Sequence, residues 1–356
     1  VPLLAEQPPP EPALALMSAL GLAGLIVWVA VAMRVHRREP VVPREPRRPA
    51  RWGPPELLMI LLVFLVLQLG VFLAARAVLG AEAVEPPKTY YVEKANTEHV
   101  VSRLLERART DPTIFLLCGF AAVVAAPIAE EFFYRLLLQG WLERLWHDWE
   151  PKMPLLRRVL PGAAVPVVLV AVAFARAHFR VPAAPHDPRY YLFMMVGFST
   201  ASLLTVVAAI VLLRIRVGAT AADLGWDFRK LPADAALGVL AFLLIAAPMY
   251  ALQASLGGAL PAYLSPDPFT LFPFALLLGF LYYRTHRLAP SIVLHFSLNA
   301  TTLLLAWLAM SGRPAEPVEP PVPPACEASV SARKTDSQSV PTAWRTERLN
   351  DFARSW

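Results

Sequence analysis

The sequence predicts an all-α fold, a polytopic transmembrane helical bundle of about eight spans. Three observations predict it. Near-uncharged apolar runs recur along the 356 residues, each able to supply a helix that crosses a hydrocarbon core of roughly 30 Å. Hydrophobic residues make up 56% of the chain and charged residues only 17%, against about 25% charged in an ordinary soluble domain. This balance excludes an ordinary soluble enzyme and a mostly disordered chain. Lastly, basic residues gather in alternate loops, as orientation in a membrane requires.

The expected spans are 13–33, 57–75, 113–129, 159–178, 190–213, 235–264, 268–281 and 288–310. The first follows the acidic, Pro-rich VPLLAEQPPPEP. That segment lacks the basic n-region and cleavage site of a signal peptide, so the run reads as a true span. Seven arginines (Arg34, Arg37, Arg38, Arg44, Arg47, Arg48, Arg51) fill the loop after it. This is the positive-inside signature, and it places the N-terminus outside. Segments 143–158 and 214–233 and the turn at 284–287 carry further basic residues inside, segment 81–111 outside has mixed charge that matters little, and so inside and outside alternate. The expected location is an integral, multi-pass position in the cytoplasmic or plasma membrane.

The net charge is +6. Its concentration in loops, without interleaved aromatics or a nucleic-acid motif, points to topology and the lipid surface, with no nucleic-acid partner. The two cysteines, Cys118 inside a span and Cys326 in the tail, support neither a thiolate cluster nor a disulfide framework. Residues 95–109 have the pattern of a short amphipathic helix or a polar connector. Residues 311–356 are Pro-rich and polar, as expected of a disordered tail. The domain reading is therefore an N-terminal part at 1–111 with two spans, a basic loop and an external connector. A membrane domain at 112–310 follows, then the tail at 311–356.

Charges inside apolar runs carry the chemistry, because each costs a few kcal/mol on insertion scales and is paired or interior. In AAPIAEEFFYRLLLQGWLERL, Glu130 and Glu131 are adjacent, and Arg135 follows Glu131 at i,i+4, the favourable order for an ion pair. Arg135 would hold Glu131 ionised. Glu130, about 100° around the helix, stays available as a general base. The bland alternative is a helix end emerging into water with a surface ion pair. In VAVAFARAHFRVP, His178 closes an apolar run, either as a catalytic group or as an interfacial histidine. In LAPSIVLHFSLNATTLLLAWL, His295 and Asn299 share one helix face, either as site residues or as interhelical hydrogen-bonding glue. Together the three clusters put two Glu, two His, one Arg and one Asn on separate helices. Carboxylate plus His can activate water, and His plus Asn can donate to an oxyanion. That is a complete set for hydrolysing a peptide bond.

Glu-Glu-x-x-x-Arg (EEFFYR, 130–135), Phe-x-x-x-His (FARAH, 174–178) and His-x-x-x-Asn (HFSLN, 295–299), in that order, resemble the CPBP family of intramembrane proteases. This is also called the Abi family. Type II CAAX prenyl endopeptidases and lysostaphin-resistance-like proteins belong to it. The flanking LLLGFLYYRTHRLAPSIVLHFSLNA is similar as well. The resemblance covers about 112–180 and 268–310, with an atypical insertion at about 181–267. It implies an endopeptidase acting on a CAAX-type or other membrane-associated peptide or protein near the membrane surface. It also implies that Glu130 and His178 activate the water, that Glu131 and Arg135 support them, and that His295 and Asn299 stabilise the oxyanion. The family is divided between zinc-dependent and metal-free glutamate mechanisms. If zinc is bound, Glu130, His178 and His295 are the candidate ligands. Two other readings stand beside this one. The first is a non-catalytic relative acting as an immunity factor or membrane scaffold. The second is a proton-coupled secondary transporter, since buried Glu and His relay protons.

Overall fold

A computed structural model describes residues 11–46, 50–80, 108, 111–149, 188–259 and 267–311. These form seven helices and no strand. They are α1 (Glu11–His36), α2 (Pro54–Leu79), α3 (112–149), α4 (Pro188–Val217), α5 (Leu231–Ala259), α6 (Asp267–Thr285) and α7 (Ala289–Ser311). Six are long and apolar enough to cross a membrane, and α6 contains the shorter apolar stretch Phe269–Thr285. The chain is a multi-pass helical membrane protein, because only closed hydrogen bonding within each segment is tolerated in hydrocarbon. The expected span at 159–178, the connector at 95–107 and the tail from 312 onward lie outside the described residues. By contacts the chain divides into Val1–Arg313 and Pro314–Trp356.

Helix starts follow from local chemistry. Pro54 and Pro112 occupy first-turn positions, where a missing N–H costs nothing. The Asp111 carboxylate accepts from Thr113 N at 2.9 Å and caps α3. Glu56 reaches back to Gly53 N at 2.9 Å and secures the start of α2.

One expected boundary is corrected. The third span was expected to end near 129, where charges begin, but helix continues through Glu130, Glu131 and Arg135 to Trp149. Two stretches of this run, Phe120–Ala125 and Glu131–Gln139, are π-type. There the N–H of Ala126 reaches Ala121 O and that of Gly140 reaches Arg135 O, five residues back. Pro127 follows the first of them, and a wider turn relieves the clash that a proline ring makes with the preceding turn.

The helices pack as α2 on α4, α5 on α7 and α1 on α5, with α3 against α4, α6 and α7. Close approach depends on small residues, as expected where lipid supplies no hydrophobic drive between helices. A Cβ on Gly238 would stand 2.7 Å from Pro290 O and Val293 Cβ, so α5 and α7 meet backbone to backbone there. One apolar cluster gathers Phe132, Leu136, Leu213, Leu224, Tyr282 and Leu288. A second gathers Phe242, Ala246, Phe274, Leu281, Leu294 and Leu298. Outward residues such as Leu25, Ile26, Leu58 and Leu62 remain exposed and apolar, as a lipid-facing surface requires.

The arginine-rich loop is tied into the bundle by side-chain contacts. Trp52 is buried and donates its indole N–H to Leu137 O at 3.1 Å. Arg51 pairs with Asp223 at 3.4 Å. Glu45 accepts from Lys230 Nζ at 2.7 Å and from Arg287 Nη1 at 3.2 Å, while Arg287 Nη2 meets Asp234 at 2.8 Å. The loop thus straps the end of α3, the α4–α5 connection and the α6–α7 turn together.

Candidate active site

The site is built where α3 meets α7. Glu131 and Arg135 face the interior and are almost wholly buried. Arg135 Nε lies 3.4 Å from Glu131 Oε2, and Arg135 Nη2 donates to Ala275 O on α6 at 3.1 Å. The i,i+4 spacing thus gives an interior ion pair rather than a surface one. His295 Nδ1 donates to Glu131 Oε1 at 3.1 Å, across the interface. The edge-to-face contact of Phe274 with the His295 ring, centroids 5.3 Å apart, restrains its orientation.

Glu130, next in chain but turned away, is half-exposed and lies 3.8 Å from His295 Nε2 through its Oε2. At that distance the two groups are an ion-pair contact, longer than a direct hydrogen bond. Glu130 also lines a cavity of about 490 Å³ between α2, α3 and α4. Apolar side chains dominate its wall, including Ile60, Phe64, Phe133 and Phe198; Tyr134, Ser199 and Ser202 are the polar exceptions.

Asn299 sits one turn beyond His295 and donates to Ala122 O at 2.7 Å. The structure therefore brings together Glu130, Glu131, Arg135 and His295, with Asn299 linking the same two helices. His178 lies outside the described residues. Cys118 is a buried free thiol on α3, consistent with a small apolar packing residue.

Three features had little sequence signal. Gln139 and Glu143 continue the Glu131–Arg135 face at i,i+4, and Gln139 Nε2 donates to both Glu143 Oε1 and Gly279 O. Tyr134 joins the cavity wall. Pro127 stands three residues before Glu130. The spacing of 131, 135, 139 and 143 could have flagged the ladder.

The zinc question turns on the donor set. A zinc site takes at least three protein ligands. Among the described residues no group of three or more His, Cys, Asp or Glu could hold a metal. Glu130 and His295 supply two donors, and Glu131 is engaged by Arg135 and His295.

A family model described as type II CAAX prenyl endopeptidase, Rce1-like, matches residues 112–301. That stretch contains Glu130, Glu131, Arg135, His178, His295 and Asn299, and it spans more than half of the chain. No curated protein and no solved structure matches the chain significantly. On the strength of that match, the chain belongs to the Rce1-like type II CAAX prenyl endopeptidase family.

Proposed function

We propose that the protein is an intramembrane endopeptidase in which Glu130 activates water to hydrolyse a peptide bond of a membrane-associated substrate. The observation that carries this reading is the position of Glu130. Its carboxylate opens onto an apolar cavity and lies 3.8 Å from His295 Nε2.

The charges support definite roles. Glu130, Glu131 and Arg135 alone sum to −1, which is costly among spans. A protonated His295 brings the cluster to zero, flanked by carboxylates on both ring nitrogens. Glu131, itself held by Arg135, fixes Nδ1–H, so Nε2–H points toward the reacting centre. Glu130 takes a proton from the water as its oxygen attacks the scissile carbonyl carbon. His295 Nε2–H donates to the developing oxyanion. The C–N bond then breaks, and Glu130 passes its proton to the leaving nitrogen. The products are a new carboxylate and a new amine. His178, carried by the second motif, joins Glu130 at the water in this reading. The substrate class is a CAAX-type peptide or another membrane-associated peptide, whose apolar portion occupies the cavity.

The test is cleavage of an internally quenched, farnesylated CAAX peptide by the full chain in lipid nanodiscs. Wild type should cleave it, and Glu130→Gln and His295→Gln should each lose on the order of a hundredfold or more in rate. Equal cleavage by wild type and both variants would sink the proposal.

A further inference from the structure

One N–H of the Asn299 carboxamide is given to a backbone carbonyl, and the reason lies on the other helix. In the π-type turn before Pro127, the N–H of Ala126 bonds Ala121 O, five residues back. Continuing that pattern, the carbonyl of Ala122 would take the N–H of residue 127. Residue 127 is proline and has no N–H. The Ala122 carbonyl thus loses its helical donor inside a membrane span, where an unsatisfied backbone group is expensive. Asn299 Nδ2, from α7, donates to that carbonyl at 2.7 Å.

We propose that Pro127 and Asn299 are a paired positioning device. Pro127 frees the Ala122 carbonyl, Asn299 clamps it, and the clamp sets the register of α7 on α3 that holds His295 between Glu130 and Glu131. Two cross-links tie the same pair of helices. One is Asn299 to Ala122, and the other is His295 to Glu131 at 3.1 Å. His295 and Asn299 are four residues apart, about 6 Å along α7. A single link would leave α7 free to rotate and slide about it. Two links separated by a helical turn remove both motions, and the 3.8 Å spacing of His295 Nε2 and Glu130 Oε2 depends on neither occurring.

In this arrangement Asn299 acts through the backbone of α3, and Pro127 acts through Asn299. The functional consequence rests on the endopeptidase reading, whereas the geometric claim stands apart from it.

The experiment is a double-mutant cycle of Pro127→Ala and Asn299→Ala on the full chain in nanodiscs, with two readouts. The first is the 15N spectrum of the histidine rings, with His295 assigned by its loss in His295→Gln. The second is cleavage of the farnesylated CAAX peptide. Pro127→Ala returns an N–H to residue 127 and favours helix, so a thermal melt should show it folded. Each single variant should shift the His295 ring signals in the same sense, and the double variant should match the singles. In cleavage, each single should lower kcat on the order of tenfold with KM little changed, and the effects should not multiply. Unchanged His295 signals in both singles overturn the proposal. So do kcat losses that multiply in the double variant, the result expected if Asn299 donates to the substrate independently. Shifted ring signals in a chain whose wild type cleaves nothing uphold the positioning device and remove the protease reading instead.

Discussion

His295 Nδ1 lies 3.1 Å from Glu131 Oε1, joining α7 to α3 through a carboxylate that Arg135 already pairs. This bond separates the two adjacent glutamates into different tasks. Glu131 is interior and doubly engaged, while Glu130 is half-exposed on the cavity.

The first prediction follows from that division. Glu131→Gln leaves Arg135 as a buried, uncompensated charge, which should cost about 3–5 kcal/mol. Glu130→Gln removes a half-exposed carboxylate and should leave stability nearly unchanged. Thermal unfolding in one detergent should show a clear drop in Tm for Glu131→Gln and a Tm for Glu130→Gln close to wild type. Equal drops would contradict the division.

The cavity makes a second prediction. Ser199 lines it from α4. Ser199→Leu should partly fill the space and raise KM for a substrate with a long apolar chain by roughly tenfold, while kcat changes little. Steady-state kinetics with a farnesylated peptide and its unmodified counterpart would check this. A uniform loss on both peptides would place the binding site elsewhere.

A third prediction concerns helix approach. At Gly238 an added Cβ would meet Pro290 O and Val293 Cβ at 2.7 Å, both part of α7. Gly238→Ala should therefore destabilise by about 1–3 kcal/mol even though alanine favours helix. A Tm equal to or above wild type would show that α5 and α7 can part without cost.

The strap provides a pH test. Lys230 and Arg287 beside Glu45 hold its carboxyl below the ordinary 4.5, with the Lys230 hydrogen bond the largest cause. The folded pKa is below the unfolded one, so the unfolded chain binds more protons in this window and stability rises with pH there. The contribution of Glu45 is full above pH 4.5 and is lost as pH falls through the depressed folded value. Glu45→Gln should thus be less stable than wild type at neutral pH, and the two should converge in acid. A stability gap unchanged between pH 3 and pH 7 would contradict the ionic origin of the strap.

Helix identity was legible because lipid leaves a long apolar segment no alternative to helix. Where α3 ends was not. Charges at 130, 131 and 135 look like emergence into water, yet they pair with one another and with His295 of α7, so the helix can run on. The Glu131–Arg135 pair was legible from i,i+4 spacing alone. Its continuation to His295 was not, since that bond depends on how two distant helices pack. The partner of Asn299 was still less visible, because a backbone carbonyl has no sequence letter; only Pro127, five residues on, marks it. The arginines between α1 and α2 spoke for orientation, while Glu45 and Trp52 among them, which anchor the strap, are single residues without a pattern.

The central claim is that Glu130 delivers a water molecule to a scissile carbonyl. It is tested most directly by cleaving the farnesylated CAAX peptide in 18O-water with the full chain in nanodiscs and weighing the products. The account predicts one 18O atom in the new C-terminal carboxylate for wild type, and no product from a Glu130→Gln protein whose Tm matches wild type. Labelled product formed by Glu130→Gln at the wild-type rate would contradict it.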